Sequence, residues 1–447
     1  MKQKFELQDI FPSVKNECEV RSVLDTDMYK ILMLDFILAN PEYKNLNVSW
    51  KMKIRTKWIK TAEVIPLEDL KNQLEMVKNM NWITVDEYEY LKNYKTPNWE
   101  KSLNEETLEF LKNLKLSDYT IWVDDDGNYE LEFIWAWPNS MLWEIYWLKI
   151  INALYAKNYI LKDNLVSEEI SQIINSTLDR LYSDIEIFKQ TPELRFAEFG
   201  TRRALSAPFQ EMMYGILRKE IPQNCVGTSN VYLSKLTWTF PIGTNAHELR
   251  MIPTALYDES QKIIDTMYEI DRQWMKHFPG MGILLPDTFG TSFYYKNCPQ
   301  DILEDHSGTR FDSKDPLIAI PEYVNWLLEN WQDPKMKAWI PSDWLDASLT
   351  NEIQKTHEDT LWKLSFWIGT NLSNNTKGTY PIPETHGPFG SFSVVIKPSK
   401  VQRPDGTWVS TVKLSDNFEK AMWEKNRVEL FKKIFGNEGM EQHQTLV

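Results

Sequence analysis

Between residues 166 and 397 the sequence repeats one local design, a short apolar segment that stops abruptly in a polar, glycine-bearing or ionisable tail. In order, the tails are Glu198-Phe199-Gly200-Thr201-Arg202-Arg203, Val226-Gly227-Thr228-Ser229-Asn230, Gly243-Thr244-Asn245-Ala246-His247-Glu248, Leu285-Pro286-Asp287-Thr288, Arg310-Phe311-Asp312-Ser313, Pro341-Ser342-Asp343 and Phe366-Trp367-Ile368-Gly369-Thr370. These residue types suit a phosphorylated substrate. Gly-Thr pairs let main-chain N–H groups and a hydroxyl approach phosphate oxygens. Arg202, Arg203 and Arg310 supply forked donors, while Asp287, Asp312 and Asp343 could hold Mg²⁺ or the hydroxyls of a sugar. A lone strand-end aspartate or arginine is more often solvated or paired than functional. Seven tails in one register outweigh that.

His247 is the sharpest candidate among them. It stands at a loop end with Glu248 beside it as an orienting carboxylate, and a neutral imidazole is a competent phosphoryl acceptor. The other histidines (His277, His306, His357, His386 and His443) read as structural. Three cysteines, Cys18, Cys225 and Cys298, cannot build a disulfide framework or a four-cysteine zinc site, and no direct metal-binding motif stands out.

The elements that must position these tails follow from periodicity. An apolar segment, a functional loop and then a helix, repeated, is the grammar of a parallel sheet or barrel, in which all such loops converge on one face. Residues 1–165 read as an N-terminal α/β domain, 166–397 as an irregular α/β barrel carrying the site, and 398–447 as a C-terminal segment packing back on the N-terminal domain. In the first of these, Asp25-Thr26-Asp27 suits the start of a helix over Tyr29–Leu38. Asn47–Lys57 alternates Val48, Trp50, Met52 and Ile54 against Ser49, Lys51, Lys53 and Arg55, the period of a strand with one wet, basic face. Tyr119–Val123 and Tyr129–Ile134 flank Asp124-Asp125-Asp126-Gly127-Asn128 and read as a hairpin. That placement at a hairpin tip argues against an acidic phosphoribosyl-binding loop, which needs a strand running into a helix. Met141–Tyr159 reads as a buried helix linking the halves, Asn371–Gly390 as a loop, Thr407–Leu414 as a strand and Phe418–Lys433 as an amphipathic helix.

Composition narrows the class. The 447 residues carry 50 Lys+Arg against 64 Asp+Glu, a formal charge of −14 that disfavours nucleic acid as a partner. A local basic pocket for a small anion is compatible with that balance. Neither a secretory signal nor an 18-residue apolar run is visible, so the expectation is a cytoplasmic protein with no membrane partner.

Taken in order, Asp25-Thr26-Asp27-Met28-Tyr29-Lys30, Phe199-Gly200-Thr201-Arg202-Arg203, Val226-Gly227-Thr228-Ser229-Asn230, Gly243-Thr244-x-Ala246-His247-Glu248, Arg310-x-Asp312-Ser313-x-Asp315-Pro316, Ser342-Asp343-x-Leu345-Asp346, Ile368-Gly369-Thr370 and Lys413-Leu414-Ser415-Asp416 resemble nicotinate phosphoribosyltransferase, a type II phosphoribosyltransferase, over nearly the whole chain. The resemblance implies formation of nicotinate mononucleotide and pyrophosphate from nicotinate and phosphoribosyl pyrophosphate, the first step of NAD salvage from nicotinate. It also implies Mg²⁺, ATP as co-substrate through a phosphohistidine at His247, and a homodimer with composite sites. By family position, Phe199 and Tyr29 would sandwich the pyridine ring, Tyr29 arriving from the partner subunit; the alternative for each is a core aromatic. Arg202 and Arg310 would face carboxylate and phosphate, Asp312 and Asp343 the ribosyl group or its metal, and Gly369 and Thr370 the 5′-phosphate. Arg55, Arg403 and Lys413 are candidates for the pyrophosphate, or for a solvated strand face. Ser229, following Gly227-Thr228, is neutral where nicotinamide-using relatives carry an acid, so the pocket should prefer the acid over the amide; the alternative is a helix cap. No Gly-x-x-x-x-Gly-Lys-Ser/Thr loop occurs, so ATP would share the barrel's phosphate sites. Two positions depart from the family pattern. Lys314 stands in place of a glycine, and so does Trp367, where a side chain is expected to crowd the phosphate loop. Alternative readings are therefore a non-catalytic ligand-binding homologue, or nicotinamide or quinolinate phosphoribosyl transfer on the same scaffold.

Overall fold

The computed structural model describes residues 3–80, 83–96, 101–359, 361, 363–382, 389–417, 421–436 and 438–439. An antiparallel five-stranded sheet, ordered β11-β10-β1-β3-β2, is built from β1 (Asn47–Ile54), β2 (Tyr119–Val123), β3 (Tyr129–Ala136), β10 (Val394–Gln402) and β11 (Trp408–Ser410). β2 and β3 form the expected hairpin, with Tyr119 opposite Phe133 and Val123 opposite Tyr129. In β1 the alternation holds over its centre, with Trp50 and Met52 buried and Lys53 exposed, but Ser49 of the expected wet face is buried against Ser399 and Ile54 is only half-buried. β10 pairs with β1 from Val401 opposite Val48 to Val394 opposite Ile54, so the chain returns to complete the N-terminal sheet. That strand runs across the expected boundary at residue 397.

The barrel consists of two parallel arcs. One is β5-β4-β9, from β4 (Phe196–Glu198), β5 (Cys225–Thr228) and β9 (Phe366–Ile368); the other is β6-β7-β8, from β6 (Ile283–Leu284), β7 (Gly308–Phe311) and β8 (Ala338–Pro341). A bridge between Trp339 and Leu364 joins the arcs on one side. Strands of two to four residues are enough here, because each need only carry one tail to the open end. Helix starts are capped at the end of a tail or two to three residues beyond it: Ser206 Oγ accepts from Phe209 N, Asn230 Oδ1 from Leu233 N, Asp315 Oδ1 from Leu317 N and Asp346 Oδ1 from Leu349 N.

Two helices sit between sheet and barrel and are apolar around most of their circumference. Met28–Leu38 is buried at every position, and Trp143–Lys162 is buried from Trp143 to Ile160. The buried lysines of the second helix find partners within the N-terminal part of the chain. Lys149 reaches Asp25, and Lys157 reaches Asp69 at 2.8 Å. The first helix docks through its backbone, Met28 N donating to Ser229 O at 2.7 Å. Gly243 permits that approach: a Cβ there would lie 2.7 Å from Tyr29 N.

The C-terminal segment differs in part from expectation. Its strand is confined to Trp408–Ser410, and its helix covers Lys425–Phe435. Phe431 and Phe435 pack against Phe289 of the barrel, at ring-centroid distances of 5.2 and 4.8 Å. The tail therefore serves both halves. Residues 418–420 of the expected helix, 383–388 of the expected loop, and His386 and His443 lie outside the described residues. Among the described residues no helix is long and apolar enough to cross a membrane.

Candidate active site

The barrel tails converge on a cavity of about 220 Å³ at the seam with the five-stranded sheet. Helix Met28–Leu38 supplies Tyr29, the end of β1 supplies Arg55, and β4 with its tail supplies Phe199, Arg202 and Arg203. From the later tails come His247, Arg310, Asp312, Asp343, Gly369 and Thr370, and from the C-terminal side Lys397 and Lys413. Gly369 allows the last barrel tail to lie against the first, since a Cβ there would stand 3.2 Å from Phe199 O.

His247 is 3% exposed, at the start of helix Glu248–Ala255. Its Nε2 lies 2.8 Å from Asp312 Oδ2 and its Nδ1 3.0 Å from Thr288 Oγ1, with Asp287 Oδ1 3.8 Å away on the Nδ1 side. For a neutral ring, the carboxylate assigns the proton to Nε2 and leaves Nδ1 to accept from the Thr288 hydroxyl. Burial, reinforced by Lys413, pushes the imidazole down to about 4 against the opposite pull of Asp287 and Asp312. It is neutral at physiological pH. Asp312 is subject to the upward push of burial, yet Arg310 and the His247 hydrogen bond hold it well below the usual carboxylate range. Arg310 Nη2 is 3.3 Å from Asp312 Oδ2, and its Nη1 donates to Asn245 O at 3.0 Å. Asp287 Oδ2 accepts from Ser313 Oγ at 2.7 Å, whereas Asp287 Oδ1 is buried with no hydrogen-bond partner among the described residues.

The opposite wall is cationic and braced from behind. Glu144 lies 2.7 Å from Lys30 Nζ, accepts from Lys397 Nζ at 2.9 Å and stands 3.8 Å from Arg202 Nη1. Burial would raise its carboxyl, but Lys30 and Lys397 hold it far down. Arg202 is also 3.8 Å from Asp27, and its guanidinium carbon lies 6.0 Å from the centre of the Tyr29 ring. An anionic, planar ligand would meet two cations and an aromatic face on this side.

The sequence matches the family model described as the nicotinate phosphoribosyltransferase N-terminal domain over residues 24–152, and the nicotinate phosphoribosyltransferase family model over residues 194–439. The chain belongs to the nicotinate phosphoribosyltransferase family. Its structure is similar to that of nicotinate phosphoribosyltransferase from Porphyromonas gingivalis, with TM-score 0.79 and 25% identity over 93% of this chain and 100% of that one. A putative nicotinate phosphoribosyltransferase from Saccharomyces cerevisiae aligns with TM-score 0.76 and 25% identity, over 94% of this chain and 99% of that one. The Vibrio cholerae nicotinate phosphoribosyltransferase shares the fold at TM-score 0.80 and 23% identity, covering 96% of each chain.

Set against this nicotinate phosphoribosyltransferase frame, several sequence expectations need correction. Tyr29 reaches the cavity from the same chain, because its helix packs directly on the barrel loop at Gly243. Glu248 does not orient His247: its oxygens take Lys30 Nζ and, at 3.3 Å, Trp137 Nε1. Ser229 and Thr228 lie behind the wall, fully buried, donating to Asp27 Oδ1 and Glu198 Oε2 at 2.6 Å each. Ser229 is not the helix cap either, since Asn230 holds that place. Asp287 stands behind His247 rather than on the cavity surface. Arg403 points away from the site, with Nη2 2.7 Å from Asp258 Oδ1.

The two departures from the nicotinate phosphoribosyltransferase pattern are both accommodated. Lys314 turns to the following helix, with Nζ 2.6 Å from Glu322 Oε2. Trp367 sits in β9 without a left-handed backbone, stacked on Phe199 at 4.2 Å between ring centroids and 8° between planes. The stack takes one face of Phe199, so the expected Phe199–Tyr29 sandwich can use only its other face. Sequence reasoning passed over Lys397, whose apolar approach Val394-Val395-Ile396 marks a strand delivering one charge. Trp344 was also missed. It lines the cavity at φ 58°, an uncommon backbone for a bulky residue.

Proposed function

We propose that the chain transfers the phosphoribosyl group of phosphoribosyl pyrophosphate to nicotinate, forming nicotinate mononucleotide and pyrophosphate, with ATP hydrolysis coupled through phosphorylation of His247. The observation that carries this reading is the polarised setting of His247: Nε2 faces the pocket-lining Asp312, and Nδ1 faces the buried Thr288 and Asp287. With the proton moved to Nδ1, where Thr288 Oγ1 at 3.0 Å accepts its hydrogen bond and the Asp287 carboxylate at 3.8 Å favours it electrostatically, the Nε2 lone pair is free for attack. An N–P bond then forms at Nε2 as the bond from the ATP γ-phosphorus to its bridging oxygen breaks and ADP leaves. Hydrolysis later restores the imidazole.

In phosphoribosyl transfer, the bond from the ribose anomeric carbon to pyrophosphate breaks as the pyridine nitrogen bonds to that carbon. Arg202 and Lys397 hold the nicotinate carboxylate, and Tyr29 with the open face of Phe199 aligns the ring. Arg55, Arg203 and Lys413 offset the departing pyrophosphate, and Asp312 and Asp343 face the positive charge that develops on the ribose. Gly369 and Thr370 receive the 5′-phosphate. The hard oxygen donors of Asp287 and Asp312, one of them a buried oxygen with no hydrogen-bond partner among the described residues, fit a magnesium ion. When bound, the ion would neutralise phosphate charge.

Purified protein given nicotinate, phosphoribosyl pyrophosphate, Mg²⁺ and ATP should release pyrophosphate and nicotinate mononucleotide. Nicotinamide should be used at least ~10²-fold less efficiently in kcat/KM, because its amide leaves the paired cations without an anion. Tight substrate binding with no product under any metal condition would make the chain a binding protein instead.

A further inference from the structure

Trp367 is the one large side chain that β9 sends into the barrel. Its neighbours Phe366 and Ile368 join the main core, whereas Trp367 packs with Ala197 and Ile340 beneath the cavity and against Phe199. It is 6% exposed, and that remainder lines the pocket. Besides stacking on Phe199, its indole lies under Arg310, whose guanidinium carbon is 5.5 Å from the ring centre. Arg310 in turn contacts Asp312, the partner of His247. One rigid aromatic thus fixes the plane of Phe199, supports a cation of the reaction centre and fills the floor below both.

We propose that Trp367 is a specificity-determining residue that sets the depth of the base slot, so that the pocket takes a pyridine-3-carboxylate without further bulk and excludes fused-ring or alkyl-substituted analogues. This rests on nicotinate being the ligand of the same pocket. Two physical points support it. The interior is close-packed, so a ring substituent pressing on the floor would have to displace an indole held on several sides. The Phe199 face that could otherwise yield is covered by the stack, and an aromatic pair of this geometry resists separation. Trp367 acts on the base through Phe199 and the floor rather than through the reacting atoms. Its signature is therefore a change in which bases bind.

The test is equilibrium binding, which does not depend on turnover. Dissociation constants of nicotinate, 6-methylnicotinate and quinoline-3-carboxylate are measured by calorimetry on the full chain, on Trp367→Gly and on Trp367→Phe. The wild-type protein should bind nicotinate at least about 100-fold more tightly than quinoline-3-carboxylate, a discrimination available to a close-packed apolar slot. In Trp367→Gly that ratio should fall at least about tenfold, with nicotinate itself weakened because Phe199 loses its support. Trp367→Phe, which keeps a ring on the floor, should give an intermediate ratio, and it carries the test if the glycine variant does not fold. An unchanged ratio in a folded variant that still binds nicotinate overturns the role of Trp367 and leaves the functional reading intact. Failure of nicotinate to bind the wild-type protein removes both.

Discussion

Among the buried ionic clusters along the seam between sheet and barrel, two are each centred on an aspartate that meets an arginine. At the first, Asp25 accepts from Arg21 Nε and Nη2 at 3.0 Å each, from Asn230 Nδ2 at 2.8 Å and from Lys149 Nζ. Burial opposes ionisation there, yet Arg21 and Lys149 hold the carboxyl far below its usual range. At the second, Asp312 is shared by His247, Arg310 and Ser342, while one buried oxygen of the neighbouring Asp287 has no hydrogen-bond partner among the described residues. The first cluster is closed, with charge answered by charge. The second is left incomplete at the wall of a cavity. The two differ in composition, since only the second holds a histidine, and in the saturation of their hydrogen bonds.

The largest expected effect breaks the closed cluster. Lys149→Met leaves Asp25 short of one buried cation, and removal of one partner of such a group costs about 3–5 kcal/mol. Urea unfolding should show that loss, with kcat of the folded protein little changed. A variant that is inactive but fully stable would put Lys149 in the reaction and dissolve the contrast.

Neutralising the carboxylate of the open cluster should read out the other way. Asp312→Asn should lower kcat by about 10²–10³-fold, the scale of one lost electrostatic contact in a site. Its cost in stability should stay within about 1 kcal/mol, because the Asp312 side chain is 26% exposed to the pocket and partly screened. Major unfolding of this variant would mean that the second cluster is structural as well.

How much of this was legible in the sequence depended on the range of the interaction. The β1 alternation, the β2–β3 hairpin and the helix behind Asp27 are set by neighbours in the chain, and periodicity marks them. Most barrel tails were legible for the same reason, since they follow their own short strands; the Gly243–Glu248 tail is the exception, running without a strand from helix Val231–Thr237 to helix Glu248–Ala255. Side-chain partners were not. Glu248 follows His247 in sequence but is claimed by Lys30, 218 positions away, because both face the seam and burial forces them to pair. Ser229 reads as a pocket residue from its Gly-Thr neighbours, yet the docking of Asp27 draws it behind the wall. Lys397 fell on the expected domain boundary and was overlooked, since only the sheet register brings it to Glu144.

A subtler effect is the pH response, which sharpens the contrast through its sign. His247 titrates near 4 in the folded protein, below the free imidazole at about 6.5. Between those values the unfolded chain binds more protons, so this group's contribution to stability is complete above about 6.5 and lost as pH falls through about 4. Melting profiles of wild-type protein and His247→Gln should diverge across that window. Phosphoryl uptake should be level from about pH 8 to 6, because the imidazole is already neutral. A midpoint of uptake near 6.5 would show that burial does not control this histidine.

The central claim is that His247 is the phosphoryl acceptor of an ATP-coupled reaction. Its most direct measurement is incubation of the wild-type protein and His247→Ala with ATP labelled at the γ-phosphate, followed by recovery of acid-labile, base-stable label from the protein. Label on the wild-type chain, its absence from His247→Ala, and basal phosphoribosyl transfer surviving in that variant without stimulation by ATP are the predicted results. Equal labelling of both proteins, or full ATP stimulation of His247→Ala, would contradict the account.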